Sequence, residues 1–100
     1  MIQGSTPTHT FTLPIDVTDV KEVRILYGQN NTLVFKKLTE DCVLTDKQIS
    51  VTLTQEDTFQ FDEDEPVQIQ VRVLTTDNKS LVSPIAKVSI NQCLDDEVLV

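Results

Sequence analysis

The side chains able to do chemistry in this chain are few. One histidine, His9, sits among Thr8, Thr10 and Thr12. A histidine beside hydroxyls invites a base-and-nucleophile reading, but no serine lies in a Gly-x-Ser-x-Gly elbow. In this alternating run His9 reads as a partly buried strand residue, with the threonines on pleated surface that favours β-branching. Cys42 and Cys93 have no further Cys or His at ligand spacing. A zinc site made from both sulfurs and His9 would lack a fourth ligand. Both cysteines are expected as free thiols, since a single pair without a secretion signal does not make a disulfide framework. The acid run Asp62-Glu63-Asp64-Glu65 suggests calcium, which takes about six to eight oxygens. An EF-hand would need a glycine within the loop and a closing glutamate, whereas Pro66 and an apolar run follow here. Asp62 and Asp64 could still meet the distant Asp16 at one pole of a sandwich, but the run is expected to be a solvated loop that discourages edge pairing. The doublets Glu40-Asp41 and Glu56-Asp57 would point to opposite faces of a strand, so neither forms the paired carboxylates of a glycosidase. No catalytic, cofactor-binding or metal residue is assigned, and the protein is expected not to be an enzyme.

Composition narrows the partners. The 100 residues carry 16 acids against 8 bases, a net charge of −8, with 39% hydrophobic residues. Such a chain has little with which to displace counterions from a phosphate backbone, so no nucleic-acid partner is expected. The longest apolar stretches are Ile25 to Tyr27 and Leu33 to Phe35, far short of the roughly 20 residues a bilayer requires. No membrane partner is expected. The opening Met1 to Thr6 has neither a basic run nor an apolar stretch, so no signal peptide is expected. The length suits one domain, 1–100, with residues 1–6 and 95–100 as flexible ends. Acid clusters outside the apolar runs would aid solubility and steer a basic partner.

The elements follow a period of two. Val67, Ile69, Val71 and Val73 alternate with Gln68, Gln70, Arg72 and Leu74. The pattern returns at His9-Phe11-Leu13, Val23-Ile25-Tyr27, Leu33-Phe35, Ile49-Val51-Leu53 and Ala86-Val88-Ile90, with a short strand around Cys42 to Leu44. Gly28-Gln29-Asn30-Asn31, Thr45-Asp46-Lys47 and Thr76-Asp77-Asn78-Lys79 supply turn residues between them. Pro66 opens a strand, where its missing N–H costs least. One segment breaks the period: Thr54 with Asp57 resembles a capping box and predicts a single helical turn over 55–59. It would cross the end of the sandwich, with Phe59 or Phe61 plugging the core rather than offering a ligand platform. The fold expected is an all-β, immunoglobulin-like antiparallel sandwich of about seven strands. Its predicted core is Phe11, Leu13, Val23, Ile25, Tyr27, Leu33, Phe35, Ile49, Val51, Leu53, Phe59, Phe61, Ile69, Val71, Val73, Val88 and Ile90.

The order of these features resembles a known family. Gln3-Gly4-Ser5-Thr6, the alternating Phe11 and Leu13, and then Asp16-Val17-Thr18 are similar to the opening of small phage and prophage tail proteins. The N-terminal domain of the baseplate upper proteins of phages infecting Gram-positive bacteria has this order. Leu53 to Thr58 resembles its strand-to-turn crossover, and Gln68 to Thr75 and Leu81 to Ile90 its closing strands. The resemblance implies an immunoglobulin-like piece for docking or assembly in a phage tail, with no catalytic residues. Its expected partners are other phage structural proteins or further copies of itself, in the virion or the bacterial host cytoplasm. An alternative expectation is a small adhesion-type module that binds a protein or a glycan, although one tyrosine and no tryptophan leave little surface for stacking sugars. The apolar Val98-Leu99-Val100, after Asp95-Asp96-Glu97, is the expected association strand.

Overall fold

Alternation becomes eight strands in the computed structural model, which describes residues 1–100. They are β1 (Thr8–Thr12), β2 (Val20–Gln29), β3 (Thr32–Leu38), β4 (Cys42–Thr45), β5 (Gln48–Thr52), β6 (Val67–Thr75), β7 (Ser80–Val82) and β8 (Ala86–Val88). One helical turn, α1 (Gln55–Phe59), lies between β5 and β6. The smaller sheet has the order β1-β5-β4. The larger runs β3-β2-β6, and both β7 and β8 pair with the far side of β6. Because β7 opposes Arg72 to Leu74 and β8 opposes Val67 to Ile69, the two form one interrupted edge strand. Ser83 bridges the gap: its N–H donates to the Val71 carbonyl and its hydroxyl accepts from the Val71 N–H, both at 2.9 Å.

All strand pairs are antiparallel. Counting β7 and β8 together leaves seven strands, in the immunoglobulin order B-E-D against C′-C-F-G. No strand pairs with the outer side of β1, where that fold has a strand beside B. No helix is long and apolar enough to cross a membrane.

Turn chemistry sets the hairpins. Asn30 and Asn31 take φ of 51° and 61° between β2 and β3, the pair of left-handed residues a two-residue hairpin needs. Asp46, at φ 53°, does similar work between β4 and β5. Thr54 caps α1 by accepting from the Asp57 N–H at 3.1 Å, and the Asp57 carboxylate accepts from the Thr54 N–H at 2.8 Å. The box therefore forms with aspartate in the place usually held by glutamate.

The buried core comprises Leu13, Val23, Ile25, Tyr27, Ile49, Val51, Leu53, Phe61, Val67, Ile69, Val71, Val73 and Ile90. Leu33, expected inside, is 54% exposed. The cause is a bulge: Tyr27 opposes Phe35 but Gly28 opposes Leu33, so Val34 is extra and everything before it changes face. Phe35 therefore points inward, half-buried on an edge strand, while Leu33 points out. Phe11, Phe59 and Val88 are likewise half-buried, each at a margin of the sandwich. Val67, left out of the expected core, is fully buried because the β6 register turns it inward opposite Gln29 and Val88.

The first six residues, expected as a flexible end, are hydrogen-bonded in the structure. Ile2 forms a parallel bridge with Asn91. The Gln3 side chain donates to the Phe61 carbonyl at 2.8 Å and accepts from the Cys93 N–H at 3.3 Å. Gly4, at φ +80°, lies against the Phe59 ring, and a Cβ there would meet that ring at 2.6 Å. Of the last six, Leu99 exchanges two hydrogen bonds with the Gln55 side chain, at 2.8 and 3.0 Å.

Candidate functional site

The residues singled out for chemistry are scattered by the fold. His9 lies in β1, half-buried, with Nδ1 at 2.7 Å from the Tyr27 hydroxyl and its ring tilted against the Tyr27 ring at 5.7 Å. Burial, aided by the positive N-terminus, lowers its pKa below the ordinary 6.5. Burial pushes the Tyr27 phenol far up, with Cys42 and Asp57 adding to it, so the pair is a neutral hydrogen bond at physiological pH. No serine, threonine or cysteine nucleophile shares that bond.

Both cysteines are free thiols. Cys42 donates to the Leu38 carbonyl at 3.3 Å, and burial followed by the charge of Asp41 raises its pKa. A thiol of this kind is a poor nucleophile. Asp62 accepts from the Asp64 N–H, while Asp16 caps a short turn by accepting from the N–H and hydroxyl of Thr18, each at 3.0 Å. The structure does not bring the three together, and no group of His, Cys, Asp or Glu is arranged to hold a metal ion. The acid loop is anchored through its backbone: the buried Gln29 amide donates to Asp62 and Glu65 carbonyls and accepts from the Asp62 N–H.

Asp57, weighed in the sequence only as a helix cap and in the doublet with Glu56, lies in α1 rather than on a strand. Its carboxylate meets Lys37 Nζ at 2.7 Å, and Lys37 lies 5.6 Å from the Phe35 ring centre. Burial opposes its charge, but the bonds to Lys37 and Thr54 outweigh that and hold its pKa below 3.8. Tyr27, Phe35 and Phe61 pack beside this pair, with ring centres between 5.0 and 6.2 Å apart. No buried side-chain polar atom of the group lacks a partner. The arrangement locks one end of the sandwich.

Two surfaces stand apart from these residues. The first is a lateral cleft of about 640 Å³ on the side where β1 and the β7–β8 edge face each other. Phe11 and Leu13 line it from β1, Val71 and Val73 from β6, and Leu81 and Ala86 from the broken edge. No charged residue contributes. Both bordering strands have a neighbour on one side only, so their outer N–H and C=O groups are open to a further strand.

The second is the outer face of the larger sheet. Strand register sets its residues in rows: Leu38, Arg24, Arg72 and Val82, then Lys36, Leu26 and Gln70, then Leu33, Gly28, Gln68 and Lys87. Four cations stand there with Glu22 as the lone carboxylate, a local balance of +3 that leaves −11 for the rest of the chain. Glu22 pairs with Arg24 at 3.1 Å; Arg72, Lys36 and Lys87 have no carboxylate partner. The outer face of the smaller sheet differs in kind. Thr8 bonds Thr52 at 2.8 Å and Thr10 bonds Ser50 at 3.0 Å, giving a neutral hydroxyl ladder. The alternation shows Arg24 and Arg72 pointing outward, but their juxtaposition depends on strand order and register, which alternation does not carry. No protein family, curated protein or solved structure matches this chain.

Proposed function

We propose that this chain is a non-enzymatic structural protein of a phage or prophage, associated with the tail or baseplate, and that it works through protein–protein contacts. The observation that supports this reading most is the apolar lateral cleft between two strand edges that each lack a neighbour. Immunoglobulin-type sandwiches fill that position with a strand of their own, beside B. Here an extended segment of a neighbouring structural protein takes the vacant place. Its main chain bonds the β1 edge and its alternate side chains enter beside Phe11, Val73 and Leu81. The tail-protein resemblance of Gln3 to Thr18 supplies the setting, in the virion or the host cytoplasm.

The reading is tested by inducing the prophage that carries the gene, purifying particles and measuring this chain in them by mass spectrometry. Incorporation is expected, and absence from purified particles would overturn the reading. Leu81→Arg places a charge at the mouth of the cleft on a residue already 36% exposed. It should leave folding intact by circular dichroism while reducing incorporation.

A further inference from the structure

The outer face of the larger sheet carries an arrangement that folding alone does not favour. Arg24 lies directly opposite Arg72 across the β2–β6 pairing, and like charges so placed are destabilising. One carboxylate, Glu22, serves the pair, and it bonds Arg24. The two guanidinium groups and Glu22 line a depression of about 260 Å³. A second depression of about 210 Å³ lies further along the same strands, where Leu26, Leu33 and Ile85 stand among Asn31, Gln68 and Gln70. Leu33 and Ile85 are 54% and 51% exposed. The face therefore offers a cationic hollow followed by an uncharged one with three apolar side chains.

The chain itself contains a segment with the complementary order. Asp95-Asp96-Glu97 is followed by Val98-Leu99-Val100, and Leu99 is 74% exposed. Moving from the Arg24–Arg72 row to the Leu26 and Leu33 rows spans roughly 7 to 14 Å at the strand rise. Three extended residues, as from Asp96 to Leu99, cover about 10 Å. In its own molecule the segment is tied at Leu99 to Gln55 of α1 by two hydrogen bonds, while the Leu99 side chain stays exposed. The complementary order of charge and apolar residues on the two surfaces commits the occupant to the segment of another copy.

We infer that residues 95–100 of one copy dock in extended form on the outer β2–β6 face of the next, with acids on Arg24 and Arg72 and apolar residues against Leu26, Leu33 and Ile85. The contact is heterologous, with a different patch on each side. Repetition makes a ring if the rotation closes and an open chain if it does not. The inference rests on the reading of this protein as an assembly component.

Sedimentation of the purified protein across a wide concentration range tests it. Concentration-dependent species larger than a dimer are expected at low salt, weakening as salt screens the charges. Arg24→Glu with Arg72→Glu, and separately neutralisation of the segment as Asp95→Asn, Asp96→Asn and Glu97→Gln, should each raise the dissociation constant at least about tenfold. All five positions are on the surface, and thermal unfolding checks that each variant folds. The deciding measurement mixes the two variants at a concentration where each alone stays monomeric. One still has a good face and the other a good segment, so the mixture should form dimers and nothing larger. A wild-type protein that stays monomeric throughout, or association unchanged in either variant, or a mixture as inert as its components, would each overturn the inference. Incorporation into particles without self-association would leave the assembly role standing and remove this contact. Self-association of a protein absent from particles would do the reverse.

Discussion

His9 is held by the Tyr27 hydroxyl at 2.7 Å in surroundings that oppose its positive charge. Its folded-state pKa lies below 6.5, so as pH falls through that value the unfolded chain takes up the proton first. The contribution of neutral His9 is complete above pH 6.5 and is lost progressively as pH drops toward the folded value. Urea midpoints measured between about pH 7.5 and 5.5 should therefore decline for the native protein, and His9→Asn should flatten that decline. A second residue-scale contrast separates two apolar side chains that look equivalent in the sequence. Ile25 is fully buried, and Ile25→Ala should cost about 2–5 kcal/mol in denaturant unfolding. Leu33→Ala should stay within about 0.5 kcal/mol, because that side chain faces water. The placement of Ile25 could be read from simple alternation with Arg24 and Leu26. That of Leu33 could not, because one extra residue in β3 reverses the faces and leaves no trace in composition.

At the scale of elements, two local devices fix long-range geometry. The first is the bulge at Gly28, where a Cβ would approach the Thr32 carbonyl oxygen at 2.7 Å. Backbone cannot yield as a flexible side chain would, so Gly28→Ala should destabilise the β2–β3 hairpin by about 1–3 kcal/mol, measured by chemical unfolding. The second is the box at the start of α1. Thr54→Ala removes one cap and should cost about 1 kcal/mol. Asp57→Asn should cost more, since it breaks the cap and also leaves Lys37 without its carboxylate on a side chain only 17% exposed. The pH signature runs opposite to a buried acid that prefers to be neutral. The Asp57 pKa is depressed, so its stabilisation is present above pH 3.8 and fades as pH falls through the lower folded value. The helical turn was legible because Thr54 and Asp57 are three residues apart and their reciprocal bonds are local. The bond from Asp57 to Lys37 was not, because it joins α1 to β3 across the end of the sandwich.

For the whole molecule, charge is sorted rather than spread. The net −8 conceals one sheet face at +3 and a remainder at −11. The acids Glu40-Asp41 and Asp62 to Glu65 are exposed and carry the negative charge, whereas the outer β2–β6 face is cationic. Fold class follows from strand number, spacing and turn residues, all of which are local. The cleft and the cationic face both arise from which strands become neighbours. Thr10 and Leu81 border the same hollow although 71 positions separate them. No window of sequence contains both.

The bridge between Ile2 and Asn91 also sets an order in time. Residues near the start of the sandwich are made well before their partners: β1 waits for β5, Ile2 for Asn91 and Gln3 for Cys93. The sandwich cannot finish until residues 91–93 have emerged, and its dominant pairing of β2 with β6 already joins distant segments. Chains built from such contacts fold over milliseconds to seconds rather than microseconds. Through that interval the edges of β1 and β7 and the valines of β6 stand open. An early encounter with a partner strand would then be templated folding rather than the docking of two finished surfaces.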